Sequence, residues 1–148
     1  MNHVPSLFRG DAKLARRGTT QLDARESRHR ADGLLETTTV EPSQAEACHV
    51  ASHSYDAFGN RSATTQANCD GASGRALFAQ RTSSVGYAAQ TTSVAGVSVT
   101  TPAGTFPVSS SNAEAHPSTA QYDPRFGTVL RATDANNLSV VSDYDDFG

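Results

Sequence analysis

Read in short windows, this chain is a series of Thr-, Ser- and Val-rich runs separated by turn residues, and only one window has helical spacing. From Leu34 the run "LLETTTVEP" is strand-like and stops at a proline, because a pleated surface suits Thr and Val and proline cannot donate to a ladder. The runs "HVASHSY", "RSATTQA", "RTSSVGYA", "TTSVAGVSVTT", "GTVLRATD" and "LSVVSDY" follow, mostly separated by Gly, Asn, Asp or Pro. That spacing predicts a mainly β chain of successive antiparallel hairpins forming an incomplete sheet. The helical window, Ala12 to Leu22, is broken by Gly18 and two threonines. Residues 1–32 are therefore expected to be disordered or a short helix, and residues 33–148 to hold the hairpins. Residues 102–118 contain three prolines and are expected to form a loop or an irregular strand rather than the centre of a sheet.

The turn residues fix geometry more closely than the strands do. In Asp56-Ala57-Phe58-Gly59 the aspartate suits the first position of a type I turn, where its carboxylate accepts from an N–H two residues on. Gly59 suits the left-handed position that returns the chain to a strand. Asp134-Ala135-Asn136-Asn137 repeats the arrangement, with Asn137 in the left-handed place. If Asp134 and Leu138 flank that turn, Arg131 faces Val141 with Asp143 on the diagonal, and Ala132 faces Val140. One face of the ribbon then carries Leu130, Ala132, Leu138, Val140 and Tyr144.

The same logic leaves the two cysteines open. A two-residue turn at Phe58-Gly59 sets Cys48 opposite Cys69 and allows a cross-strand disulfide. The favoured three-residue loop sets Cys48 against Asn68 and turns the sulfurs to opposite faces, and a second bulge would restore the match.

Composition limits the core. Leu, Val and Phe number 8, 11 and 6 and Ile is absent, so these residues make up about 17% of the chain, under the level usual for a well-filled interior. Ser and Thr number 17 and 16, as expected for a sheet with a wet face. Charge is uneven: residues 1–33 hold seven Lys/Arg against four Asp/Glu, and the remainder five against eleven. The basic head has no interleaved aromatic platform, and 11 of the 12 basic residues are Arg, so no nucleic-acid partner is expected. No stretch is long and apolar enough for a membrane span, and no secretory signal is visible.

Tyr55-Asp56…Gly59-Asn60-Arg61, Tyr122-Asp123…Phe126-Gly127 and Tyr144-Asp145…Phe147-Gly148 give a tyrosine–aspartate pair followed by a glycine three times. At these residues the chain resembles the rearrangement hotspot, or YD-repeat, family, over roughly residues 33–148. Tyr87, followed by Ala88 and without a well-placed glycine, reads as a degenerate copy. In that family the hairpins pair side by side into a ribbon that spirals into a hollow shell around a toxin polypeptide of bacterial secreted proteins. The resemblance implies a shell segment in which Tyr55, Tyr122 and Tyr144 pack between neighbouring hairpins and the Asp and Gly residues hold the turns. The partners it implies are adjoining YD-repeat segments of a longer chain and an enclosed toxin polypeptide.

Candidate chemistry is sparse. Cys48, His49, His53 and Cys69 include metal-ligating types, but strand alternation sends Cys48 and the two histidines to opposite faces, so no metal site is expected. No GxSxG elbow, HExxH or phosphate loop occurs, and Asp145-Asp146 would point to opposite faces of a strand. The expectation is a non-enzymatic structural module without cofactor. The alternatives are a module whose exposed Tyr and Asp side chains bind cell-surface carbohydrate, and a non-functional gene remnant.

Overall fold

The computed structural model describes residues 24–71 and 78–145. The helical window at Ala12–Leu22, and with it Asp146, Phe147 and Gly148 of the third copy, lie outside the described residues. The described chain is all β: β1 (Arg25–His29), β2 (Leu35–Val40), β3 (His49–Tyr55), β4 (Arg61–Asn68), β5 (Arg81–Gly86), β6 (Gln90–Val94), β7 (Val97–Thr101), β8 (Ser109–Ser111), β9 (Pro117–Tyr122), β10 (Val129–Thr133) and β11 (Ser139–Val141). Nine strands form one sheet in the order β1-β2-β3-β4-β5-β8-β9-β10-β11, and β6 and β7 form a separate two-stranded sheet. All neighbours are antiparallel. The large sheet is a meander that does not close, with β1 and β11 at its ends.

Three expectations need correction or refinement. The run from Thr91 to Thr101 is not one strand but a hairpin, β6–β7, joined by Ala95 and Gly96 at φ 50° and 79°. A two-residue connection with both residues left-handed matches strand twist, and Gly96 makes it inexpensive. The proline-rich segment does enter the sheet, where β8 lies between β5 and β9. Pro102 and Pro107 precede this three-residue strand, and Pro117 opens β9, a first-strand position that tolerates the missing donor. The first hairpin starts at Arg25, inside the basic segment delimited above, so its residues 25–32 are strand and turn.

With a single main layer, little is fully buried: among the described apolar residues only Cys48 and Val94 qualify. Much of the cohesion lies in the ladders themselves and in cross-strand hydroxyl pairs. Thr65–Thr82, Thr91–Thr100, Ser110–Ser118 and Thr133–Ser139 are each joined Oγ to Oγ at 2.7–3.0 Å.

The β3–β4 register settles the cysteines. Tyr55 pairs with Arg61, as a three-residue loop requires, but Ser54 pairs with Ala63, leaving Ser62 as an extra residue in β4. This bulge shifts the rest of the hairpin by one, so that His49 faces Asn68 and the next pair outward is Cys48 and Cys69. They form a disulfide with their Cα atoms 5.6 Å apart. The β10–β11 register likewise sets Arg131 opposite Val141 and Ala132 opposite Val140.

Candidate functional site

The tyrosine–aspartate hairpins are built from the turn outward. Asp56 N–H donates to Asn60 O and Gly59 N–H to Asp56 O, while the Asp56 carboxylate accepts from the N–H groups of Phe58 and Asn60 and from Asn60 Nδ2. Gly59 stands at φ 85° with open space around it, so the backbone conformation, not crowding, calls for glycine there. Desolvation opposes the charge on Asp56, yet the hydrogen bonds from Asn60, Phe58 and Gly59 outweigh it and hold the carboxyl below its ordinary range. Asp134 repeats the pattern: its Oδ1 accepts from Asn136 and Leu138 N–H groups, and Asn137 takes φ 61°.

The Asp123 turn is longer by one residue and better covered. Gly127 N–H donates to Asp123 O, and Asp123 N–H to Thr128 O. Asp123 is the largest fully buried side chain described. Its carboxylate accepts from Arg125 N–H and from the guanidinium, which bridges it at 2.8 Å. That charged fork, aided by the Arg125 main-chain N–H, overcomes desolvation and lowers the Asp123 pKa. The same guanidinium lies 4.9 Å over the Phe126 ring.

The tyrosines do equivalent work in three places. Tyr55 Oη donates to Leu35 O at 2.8 Å, Tyr122 Oη to Pro107 O at 3.3 Å, and Tyr144 Oη to Val129 O at 3.0 Å. Extending the β2–β3, β8–β9 and β10–β11 registers sets these tyrosines opposite Leu34, Phe106 and Thr128. In each case the acceptor is the next residue along. A tyrosine at the end of one hairpin's strand thus reaches the carbonyl where the preceding hairpin's return strand begins, and staples consecutive units. Tyr122 also stacks on Phe106, centroids 4.8 Å apart.

Tyr87 follows β5 at the corresponding end of the sheet, but the chain there runs into the β6–β7 hairpin rather than a tight turn. Gly104 N–H closes the excursion on Tyr87 O, and Gly104 stands at φ 85°. Gly104 O accepts from Asn60 Nδ2, and its Cα faces the Phe58 ring so closely that any Cβ would overlap it. The β6–β7 hairpin is fastened to β9 through Gln90 and Thr92, which bond the main chain of Tyr122.

Two turns of this class escape reading by sequence. Arg30 to Gly33 closes with Gly33 N–H on Arg30 O and Arg30 N–H on Leu34 O; a basic residue stands where the others have Asp, and only the Asp32-Gly33 pair hints at it. Asn112 to Ala115 uses Asn112 Oδ1 to accept from Glu114 and His116 N–H groups, with Ala115 at φ 61°. Neither has the tyrosine–aspartate signature. The loop after β2 is tied by Glu41, whose carboxylate accepts from Ala24 N–H and Gln44 Nε2.

Between two tyrosines lies an open trough of about 540 Å³ lined by Tyr55, Asn60, Arg61, Thr64, Ser83 and Tyr87 among others. His53 Nδ1 bonds Thr64 Oγ1 nearby, and desolvation together with Arg61 lowers its pKa. His53 is half-buried and feels the Arg61 charge, and Cys48 and Cys69 are joined in the disulfide. Comparison with protein-family models, curated proteins and solved structures gives no match to this chain.

Proposed function

We propose that this chain is a structural segment of a YD-repeat ribbon, one that walls off a polypeptide rather than transforming a substrate. The observation that carries the reading is the staple: three tyrosines, each in the same register position, each donating to the carbonyl one residue past its cross-strand partner. A unit that locks to its neighbour in one repeated way extends in one dimension, and curvature of such a ribbon produces a wall. Among the described residues the sheet is open, with β1 and β11 each paired on one side, and that is the form a segment takes. In the family it resembles, the enclosed partner is a toxin polypeptide, and exclusion of that partner from solvent would be the whole mechanism.

Limited proteolysis of the native product carrying this sequence tests the reading. Polypeptide enclosed by the ribbon should survive a protease dose that digests the same segment expressed alone. Equal digestion of the two would overturn it. A second reading, carbohydrate binding, draws on the trough between Tyr55 and Tyr87, whose Arg61, Asn60, Thr64 and Ser83 could hydrogen-bond hydroxyl groups. Saturable glycan binding lost in Tyr87→Ala would favour that reading over a wall.

A further inference from the structure

The two ends of the large sheet are guarded differently. β1 presents Arg25, Glu26, Arg28 and His29, all exposed, and charges on an edge strand discourage further pairing. β11 presents Ser139, Val140 and Val141, flanked by Leu138, and exposes Leu138 by 68%, Val140 by 68% and Val141 by 60%. No charge interrupts that run. We propose that β11 is a self-association edge, on which a second copy of this chain pairs its own β11 antiparallel about a two-fold axis at Val140.

The main-chain geometry defines the register. Leu138 O accepts from Asp134 N–H and Ser142 N–H donates to Leu130 O, so the main-chain groups of Leu138 and Ser142 point toward β10. Alternation sends those of Ser139, Val141 and Asp143 outward. A two-fold at Val140 sets Ser139 of each copy opposite Val141 of the other, so these outward N–H and C=O groups exchange hydrogen bonds. Val140 meets its own counterpart as the close pair between them, and Leu138 covers Ser142 on the same face. Asp143 falls opposite Asn137 rather than another carboxylate.

Moving the axis to Val141 keeps the hydrogen bonds but sets Val140 against Ser142 and Leu138 against Tyr144, and moving it as far as Asp143 opposes the two carboxylates. Slipping it the other way runs the strand into the Asp134–Asn137 turn. The axis at Val140 is therefore the register that pairs Val140 with its own counterpart, covers Ser142 with Leu138 and keeps the two Asp143 carboxylates apart. The contact is a few residues wide, smaller than standard interfaces, and makes a weak, reversible dimer.

The pairing does not rest on the ribbon reading, since a following strand of a longer chain would occupy the same edge. Single-cysteine cross-linking of the 148-residue chain tests it, because both native cysteines are in the disulfide. A close antiparallel pair brings Cα atoms to about 4.5 Å, within disulfide reach. Val140→Cys should give a covalent dimer on mild oxidation, while Ser139→Cys, offset from its own counterpart, should give at least ten-fold less. Adding Val141→Pro to Val140→Cys removes an outward N–H that β10 does not use and should abolish the cross-link. Equal cross-linking at both positions, cross-linking unaffected by the proline, or a monomer at all concentrations in sedimentation equilibrium would overturn the proposal. Cross-linking of the 148-residue chain but not of a longer native product leaves the pairing standing and supports the ribbon reading as well.

Discussion

Reducing the Cys48–Cys69 bridge should cost this protein a large part of its stability. The two residues are 21 apart in sequence, and closing a loop of that length in the unfolded chain corresponds to about 3 kcal/mol in the chain-entropy account. Small domains have roughly 5–15 kcal/mol in total. A single-layer sheet with only Cys48 and Val94 as buried apolar residues among those described belongs at the lower end, so the bridge decides whether the first hairpins persist. The bridge also pins the register that the Ser62 bulge creates, because a slip of one residue would turn one sulfur to the other face. The assay is a urea titration followed by far-UV circular dichroism, run on the oxidised protein, the reduced protein and a Cys48→Ala, Cys69→Ala double variant. With a slope of about 1–3 kcal/mol/M, the midpoint of both bridge-free forms should fall by about 1–3 M. A midpoint within about 0.3 M of the oxidised protein would refute the argument and place the stability in the ladders alone.

Further outcomes follow from the turns and staples. Tyr55→Phe should destabilise by about 1 kcal/mol, the net worth of one hydrogen bond, and Tyr122→Phe and Tyr144→Phe, at exposed and longer bonds, by roughly half that; thermal melts of the three variants give the order. Gly59→Ala should lose about 1 kcal/mol through its positive φ, whereas Asn137→Gly should hold or gain stability, both read by urea midpoint. Asp56 and Asp123 have lowered pKa values, so the stability they contribute is fully present above the unfolded aspartate value near 4 and is lost as pH falls through their folded values. The urea midpoint should therefore be steady near neutrality and fall at acid pH, and Asp123→Asn should flatten that fall.

Turn chemistry was the most legible part of the sequence. Asp56, Gly59, Asp134 and Asn137 carry local information, since an Asx carboxylate and a left-handed residue fix four residues by themselves, and the β10–β11 register then follows by counting. The disulfide was less legible because one bulge residue, Ser62, decides it, and nothing in "NRSATT" announces which residue will be left unpaired. The β6–β7 hairpin was hidden by uniform Thr and Val composition, in which Ala95-Gly96 is a weak mark. Strand β8 was obscured by the prolines, whose positions before and after it matter more than their number. The family resemblance places Tyr55, Tyr122 and Tyr144 between hairpins, but their acceptors could not be read: each bond joins residues 15 or 20 apart, and their equivalence appears only once the register of each pair is known. Arg30 to Gly33 and Asn112 to Ala115 show that the turn geometry tolerates departures from tyrosine–aspartate that a motif does not.

The central claim, that this is one stretch of a repeating ribbon, is tested most directly by reading the coding DNA past the codon for Gly148. The account predicts an in-frame continuation with further strands and tyrosine–aspartate hairpins. A stop codon at that point would contradict it, because no wall closes from the hairpins present here.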